Sequence, residues 1–151
     1  MSAEKPPVRF QRANFIVTDI ERALLFYRDV LKFKVAFQKE SEKDSYSYPV
    51  FEIDRDCKMQ WAVLSAEGQP RVMALTEVTG KALASVPHPR RSAIVLDIAD
   101  VDTVMDGARK LGLKVYEEER LETHDGRIGR EIGIVDADEN LVVIYNIPEA
   151  A

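Results

Sequence analysis

ANFIVTDIERALLFYRDVLKFKV, residues Ala13 to Val35, changes its hydrophobic period twice. Ala13, Phe15 and Val17 alternate, the period of a half-buried strand. Thr18-Asp19-Ile20-Glu21 then supplies a helix start, with Thr18 as the capping residue and Glu21 completing a capping box. Ile20, Leu24, Tyr27 and Leu31 follow at helical spacing, with Ala23 and Val30 beside them. Beyond Leu31 the alternation returns at Phe33, Val35 and Phe37. The unit is strand–helix–strand, with the helix predicted over about Ile20 to Leu31.

The same unit recurs. Phe15-Ile16-Val17-Thr18-Asp19-Ile20 aligns with Leu96-Asp97-Ile98-Ala99-Asp100-Val101, and Leu31-Lys32-Phe33-Lys34-Val35 with Leu111-Gly112-Leu113-Lys114-Val115. Asp100 caps a second helix whose apolar face is Val101, Val104, Met105, Ala108 and Leu111, and Gly112 ends it in a left-handed turn. An internal repeat of about eighty residues, each strand–helix–strand–strand–strand, outweighs any single motif as an architectural signal.

The remaining elements fill in around these anchors. Strand one is predicted over about Phe10 to Val17 and strand two over Lys34 to Glu40. Lys58–Ser65 and Arg71–Val78 are strands joined by a Gly68/Pro70 hairpin connection. Ser41–Ser47 is a loop. Within Tyr48–Cys57, Val50, Phe51 and Ile53 are read either as a short helical turn or as an edge strand, Pro49 weighing against a central strand. The second repeat adds strands at Ser92–Ile98, Lys114–Glu118, Arg130–Val135 and Leu141–Tyr145, with a turn at Asp136–Asn140. The expected fold class is α+β: two βαβββ modules forming a cupped mixed sheet with helices outside. The expected division is a loose arm at 1–9, a first module at 10–80, a linker at 81–91, a second module at 92–147 and a tail at 148–151, all in one compact domain.

Composition narrows the function. Of 151 residues, 46% are apolar and 31% charged, which is ordinary for a globular protein. The net charge of −5 argues against a nucleic-acid partner, which wants a basic field. The longest apolar runs, such as Leu141–Tyr145, are too short to span a bilayer, so no membrane partner is expected. Cys57 is the only cysteine, which leaves no internal disulfide and no cysteine-based zinc site. With no secretory leader in evidence, a cytoplasmic location is expected.

TDIERALLFYRDVLKF, the Asp100-Val101-Asp102 start, the Leu111-Gly112-Leu113 stop and the Asp136–Leu141 turn together resemble the vicinal oxygen chelate superfamily of glyoxalases, bleomycin-resistance proteins, extradiol dioxygenases and epimerases. The resemblance runs from about Phe10 to Asn146 and implies a cupped sheet around a ligand pocket, usually in a homodimer. Two departures stand out. Lys32 replaces the glycine usual at the first helix stop, where a left-handed lysine costs about 1 kcal/mol. Glu139 stands where the final turn often has glycine.

The resemblance also implies a divalent metal held by His, Glu or Gln from four strands, and its positions fall on Arg12, Ala74, Ala93 and Val143. An arginine repels a cation, and two alanines and a valine offer no lone pair. No metal and no cofactor is therefore expected. His88, His124 and Glu77 are the candidates for a displaced site. The two histidines read more simply as loop residues, and the alternation of Met73 and Leu75 aims Glu77 away from the cup.

With Ala13, Phe15 and Val17 toward the helix, Arg12, Asn14 and Ile16 face the concavity. The same parity puts Ala93, Val95, Asp97, Val143 and Tyr145 there. Strand three contributes either Trp61 and Val63 or Gln60 and Ala62. The candidate ligand-binding residues are thus Arg12, Asn14, Trp61, Asp97, Val143 and Tyr145, a mainly apolar lining suited to a small organic molecule. Arg12 beside Asp97 is read equally as ligand recognition or as an ion pair closing the pocket, and Trp61 reads first as core packing. No catalytic residue is specified. The leading functional reading is a metal-free small-molecule binder resembling the bleomycin-resistance branch. The alternatives are a metal-dependent lyase, isomerase or dioxygenase with displaced ligands, a metal-free enzyme using Tyr145, Asp97 or Arg12, and a regulatory domain with a filled pocket.

Overall fold

In the computed structural model, which describes residues 4–148, the two period changes become β1 (Ala13–Val17), α1 (Ile20–Tyr27) and β2 (Lys34–Glu40). Met1–Ala3 of the expected arm and residues 149–151 of the expected tail lie outside the described residues. The first repeat continues with the short α2 (Ser47–Val50), β3 (Lys58–Ala66) and β4 (Gln69–Thr79). The second comprises β5 (Ile94–Asp97), α3 (Val101–Lys110), β6 (Lys114–Val115), β7 (Glu119–Glu122), β8 (Ile128–Val135) and β9 (Leu141–Asn146).

Each repeat makes its own mixed sheet. The first has strand order β1-β4-β3-β2, with β1 and β4 parallel and the other neighbours antiparallel. The second has order β5-β9-β8-β6, again with one parallel pair, and β7 also pairs with β8. The strand expected at Lys114–Glu118 is cut short, β6 stopping at Val115, and β7, which the sequence reading did not contain, pairs with β8 from Glu119. The helix-facing residues of both sheets, among them Leu64, Leu75, Ile132 and Ile144, share one buried cluster with Leu24 and Tyr27 of α1 and Val104 and Ala108 of α3. The two concave faces lie on the opposite sides of the sheets from that core.

The helix ends show how local chemistry sets the frame. Asp19, not Thr18, caps α1, its carboxylate accepting from Arg22 N at 3.0 Å. Thr18 is diverted to donate its hydroxyl to Asp138 at 2.7 Å. Glu77 Oε2 accepts from Ile20 N at 2.7 Å, so a second carboxylate meets the positive end of the helix. The helix closes earlier than its periodicity predicts, at Tyr27, and Val30 and Leu31 continue the apolar face from a turn whose amides both reach Phe26 O. Lys32 is left-handed at φ 71°, as the departure from glycine implied. Asp100 caps α3 by accepting from Thr103 N at 3.1 Å, and Gly112 ends it at φ 75°.

The Asp136–Asn140 turn fastens the repeats together. Tyr27 Oη donates to Asp136 at 2.7 Å in the core, and Asn140 Nδ2 donates to Ile16 O at 3.1 Å. Burial, then the neighbouring Asp136, lifts the Tyr27 phenol well above its ordinary range. Burial also lifts the Asp136 carboxyl, against the pull of hydrogen bonds from Asn140 and Tyr27.

Candidate functional site

The register across the first sheet decides which side chains share its concave face. Asn14 pairs with Ala74 and Ile16 with Thr76 on the parallel side. Thr76 pairs with Trp61, and Ala74 with Val63, on the antiparallel side. Because paired residues point the same way, Trp61 and Val63 face the cup and Gln60 and Ala62 face the helix. Glu77 lies on the helix side too, bound to Ile20 N and to Gln60 Nε2 at 2.8 Å, as its parity predicted.

Strand two departs from the expected alternation. A register shift between Val35 and Phe37 inserts Ala36 as an extra residue. Val35 therefore packs on the shared core, while Phe37 swings to the cup side opposite Val63. There Phe37 meets the Trp61 ring edge-on at 5.3 Å between centroids. Lys39, paired with Trp61, follows it onto the same face.

The segment between β2 and β3 folds over one end of this face. Tyr48 of α2 is buried, donates its hydroxyl to Cys57 O at 2.8 Å, and joins Cys57, Met59 and Val78 in a second apolar cluster with Ile16 and Ile53 against it. Of the two readings left open, the helical turn is the one formed. Its buried anchor is Tyr48, whereas Val50 and Phe51 remain exposed.

What remains open is a cavity of about 470 Å³, with Arg12, Asn14, Ala74 and Thr76 on one side and Lys39, Trp61 and Phe51 on another. Glu40, Glu42 and Asp44 with three serines line the part contributed by the end of β2 and the following loop. Arg12 and Lys39 set their cations 5.8 and 5.6 Å from the centroid of Trp61, an attraction to the ring face that positions both. Thr76 Oγ1 donates to Asn14 Oδ1 at 2.8 Å, which leaves Asn14 Nδ2 buried with no acceptor among the described residues. An orphaned buried donor costs about 1–3 kcal/mol.

The structure brings together Arg12, Asn14 and Trp61 of the residues expected from sequence. Asp97, Val143 and Tyr145 lie on the concave face of the second sheet, where Asp97 pairs with Tyr145 and Tyr145 with Glu131. They do not line this cavity, and Arg12 makes no ion pair with Asp97. Thr76, Lys39 and Phe51 also line it; Lys39 depends on the bulge, which carries no sequence signal, and Phe51 on the helical turn that was one of the two readings of its segment. The four positions at which the resemblance implies metal ligands hold Arg12, Ala74, Ala93 and Val143. This donor set does not fit a divalent cation, having one permanent positive charge and three hydrocarbons. His88 and His124 are exposed, in the linker and in the β7–β8 turn, and no group of three His, Cys, Asp or Glu side chains converges among the described residues.

Comparison with known proteins agrees with this architecture. The profile of the Glyoxalase/Bleomycin resistance protein/Dioxygenase superfamily matches residues 9–144. No curated protein matches the chain. Among solved structures, a glyoxalase family protein of Bacillus cereus superposes with a TM-score of 0.73 at 12% identity, covering 99% of this chain and 100% of its own. The trypanothione-dependent glyoxalase I of Leishmania major gives 0.62 at 20% identity, with 92% and 86% covered. The fosfomycin resistance protein FosX of Listeria monocytogenes gives 0.56 at 16%, with 97% and 94% covered. At these identities the likeness is one of fold.

Proposed function

Because the chain belongs to the Glyoxalase/Bleomycin resistance protein/Dioxygenase superfamily, we propose that it binds a small organic molecule in the cup of its first repeat and does so without a divalent metal. The observation that carries this reading is the cavity itself: about 470 Å³, within the range of small-molecule sites, floored by an orphaned amide donor. The absence of lone pairs at Arg12, Ala74, Ala93 and Val143 supports the metal-free part. The competing reading, a metal-dependent lyase, isomerase or dioxygenase with displaced ligands, requires His88, His124 or Glu77 to converge, and Glu77 is already committed to the α1 N-terminus.

The protein works as a homodimer. Val95, on the concave face of the second sheet, is 61% exposed, which is unusual for a strand valine. Asp97, Glu131 and Glu119 lie in one register row on that face. No described helix is long and apolar enough to cross a membrane. The buried free thiol of Cys57 suits a reducing, cytoplasmic setting.

The sole tryptophan makes the test direct, since Trp61 lines the cavity. A small-molecule library titrated against its fluorescence is expected to give saturable binders whose affinity is unchanged by excess EDTA. Binding or turnover abolished by EDTA and restored by Mn²⁺ would overturn the proposal.

A further inference from the structure

We infer that the ligand of this cup is a monocarboxylate with an apolar or aromatic body, its carboxylate seated between the Arg12 guanidinium and Asn14 Nδ2. The inference rests on the small-molecule reading above and adds the chemical class. Arg12 and Asn14 stand two residues apart at the start of β1, on the same side of the sheet, and both line the cavity. Arg12 has no carboxylate within ion-pair distance among the described residues, so its fork of donors is uncommitted. Asn14 has spent its oxygen on Thr76 and keeps only a buried N–H pair to offer. Its register partner Ala74 contributes only a methyl group on that face.

Two donors, one charged and one neutral, match the two oxygens of a planar carboxylate. The charge of the whole lining selects against a dianion. Arg12 and Lys39 supply two positive charges, while Glu40, Glu42 and Asp44 supply three negative ones from the other part of the wall. The net negative charge opposes any anion and opposes a doubly charged phosphate more strongly than a singly charged carboxylate, so a carboxylate is held only next to Arg12 and away from those acids. The ligand's body then lies along Trp61 and Phe51, the aromatic side chains of the lining.

Phenylacetate, phenylacetamide, phenethylamine and phenyl phosphate, titrated by calorimetry and Trp61 fluorescence into the full chain, separate the possibilities. Phenylacetate is expected to bind at least tenfold more tightly than the other three. Arg12→Gln, at an exposed position, is expected to weaken phenylacetate at least tenfold and leave phenylacetamide unchanged. Asn14→Asp, which replaces the donor by a carboxylate, is expected to abolish phenylacetate binding with the circular dichroism of the native fold retained. Equal affinity for the acid and the amide, preference for the amine or the phosphate, or an unchanged Arg12→Gln variant would overturn the carboxylate assignment while leaving the cup a binding site. No binding by any probe would overturn both.

Discussion

Tyr27 shows how one side chain ties stability to pH. Its ring is fully buried and its hydroxyl donates to Asp136 at 2.7 Å. Tyr27→Phe is expected to cost about 1–2 kcal/mol at pH 7, since a hydrogen bond to a carboxylate is lost while Asp136 keeps Asn140. The phenol is raised well above 10 in the fold, so its contribution is present below the unfolded value near 10 and is lost as pH rises toward the folded value. The gap between wild type and Tyr27→Phe in urea denaturation should therefore narrow as the pH rises above about 10. Lys32 and Glu139 pose a sharper contrast, both left-handed at φ 71° and 69°. Lys32→Gly is expected to stabilise by about 0.5–1 kcal/mol, since relief of left-handed strain exceeds glycine's entropic cost. Glu139→Gly is expected to gain nothing, because Glu139 Oε2 accepts from Val86 N at 3.1 Å and holds the linker against the turn. Both strained positions were legible as places where glycine is usual; the bond that compensates one of them was not.

At the scale of elements, the crossing of the two repeats depends on Gly107. A Cβ there would lie 2.9 Å from both γ-methyl carbons of Val30, closer than packed atoms tolerate. Gly107→Ala should raise helix propensity yet destabilise by about 1–2 kcal/mol through overpacking. Val30→Ala in the same chain should recover much of that loss, a coupling measurable by a double-mutant cycle. The strands other than β7, both longer helices and the shared parity of Asn14 and Ile16 were readable from period and capping. The extra residue at Ala36 was not, because a bulge changes no composition and leaves the Phe33/Val35/Phe37 pattern looking regular. Nor was the choice of Asp19 over Thr18 as cap, which turns on Asp138, a residue more than a hundred positions away that claims the threonine hydroxyl. Local sequence pointed to Thr18, and a tertiary contact left the cap to Asp19.

Over the whole molecule, two similar repeats have been put to unequal use. The first carries a cavity, closed at one end by Tyr48 and its neighbours and floored by Asn14 and Thr76. The second presents an open face with exposed Val95 and a row of carboxylates. The sequence repeat indicated both faces but not how they are arranged, so Asp97, Val143 and Tyr145 were expected beside residues from which the fold separates them. If a second copy covers that face, Val95→Glu should shift the protein toward monomer in sedimentation analysis without unfolding it. The central claim, that the cup works without a metal, is tested most directly by equilibrium dialysis of the purified chain against Mn²⁺, Ni²⁺ and Zn²⁺, followed by elemental analysis. The account predicts less than about 0.1 ion retained per chain, as expected for a lining without converging ligands. One tightly held ion per chain, lost on substitution of a residue lining the cup, would contradict it.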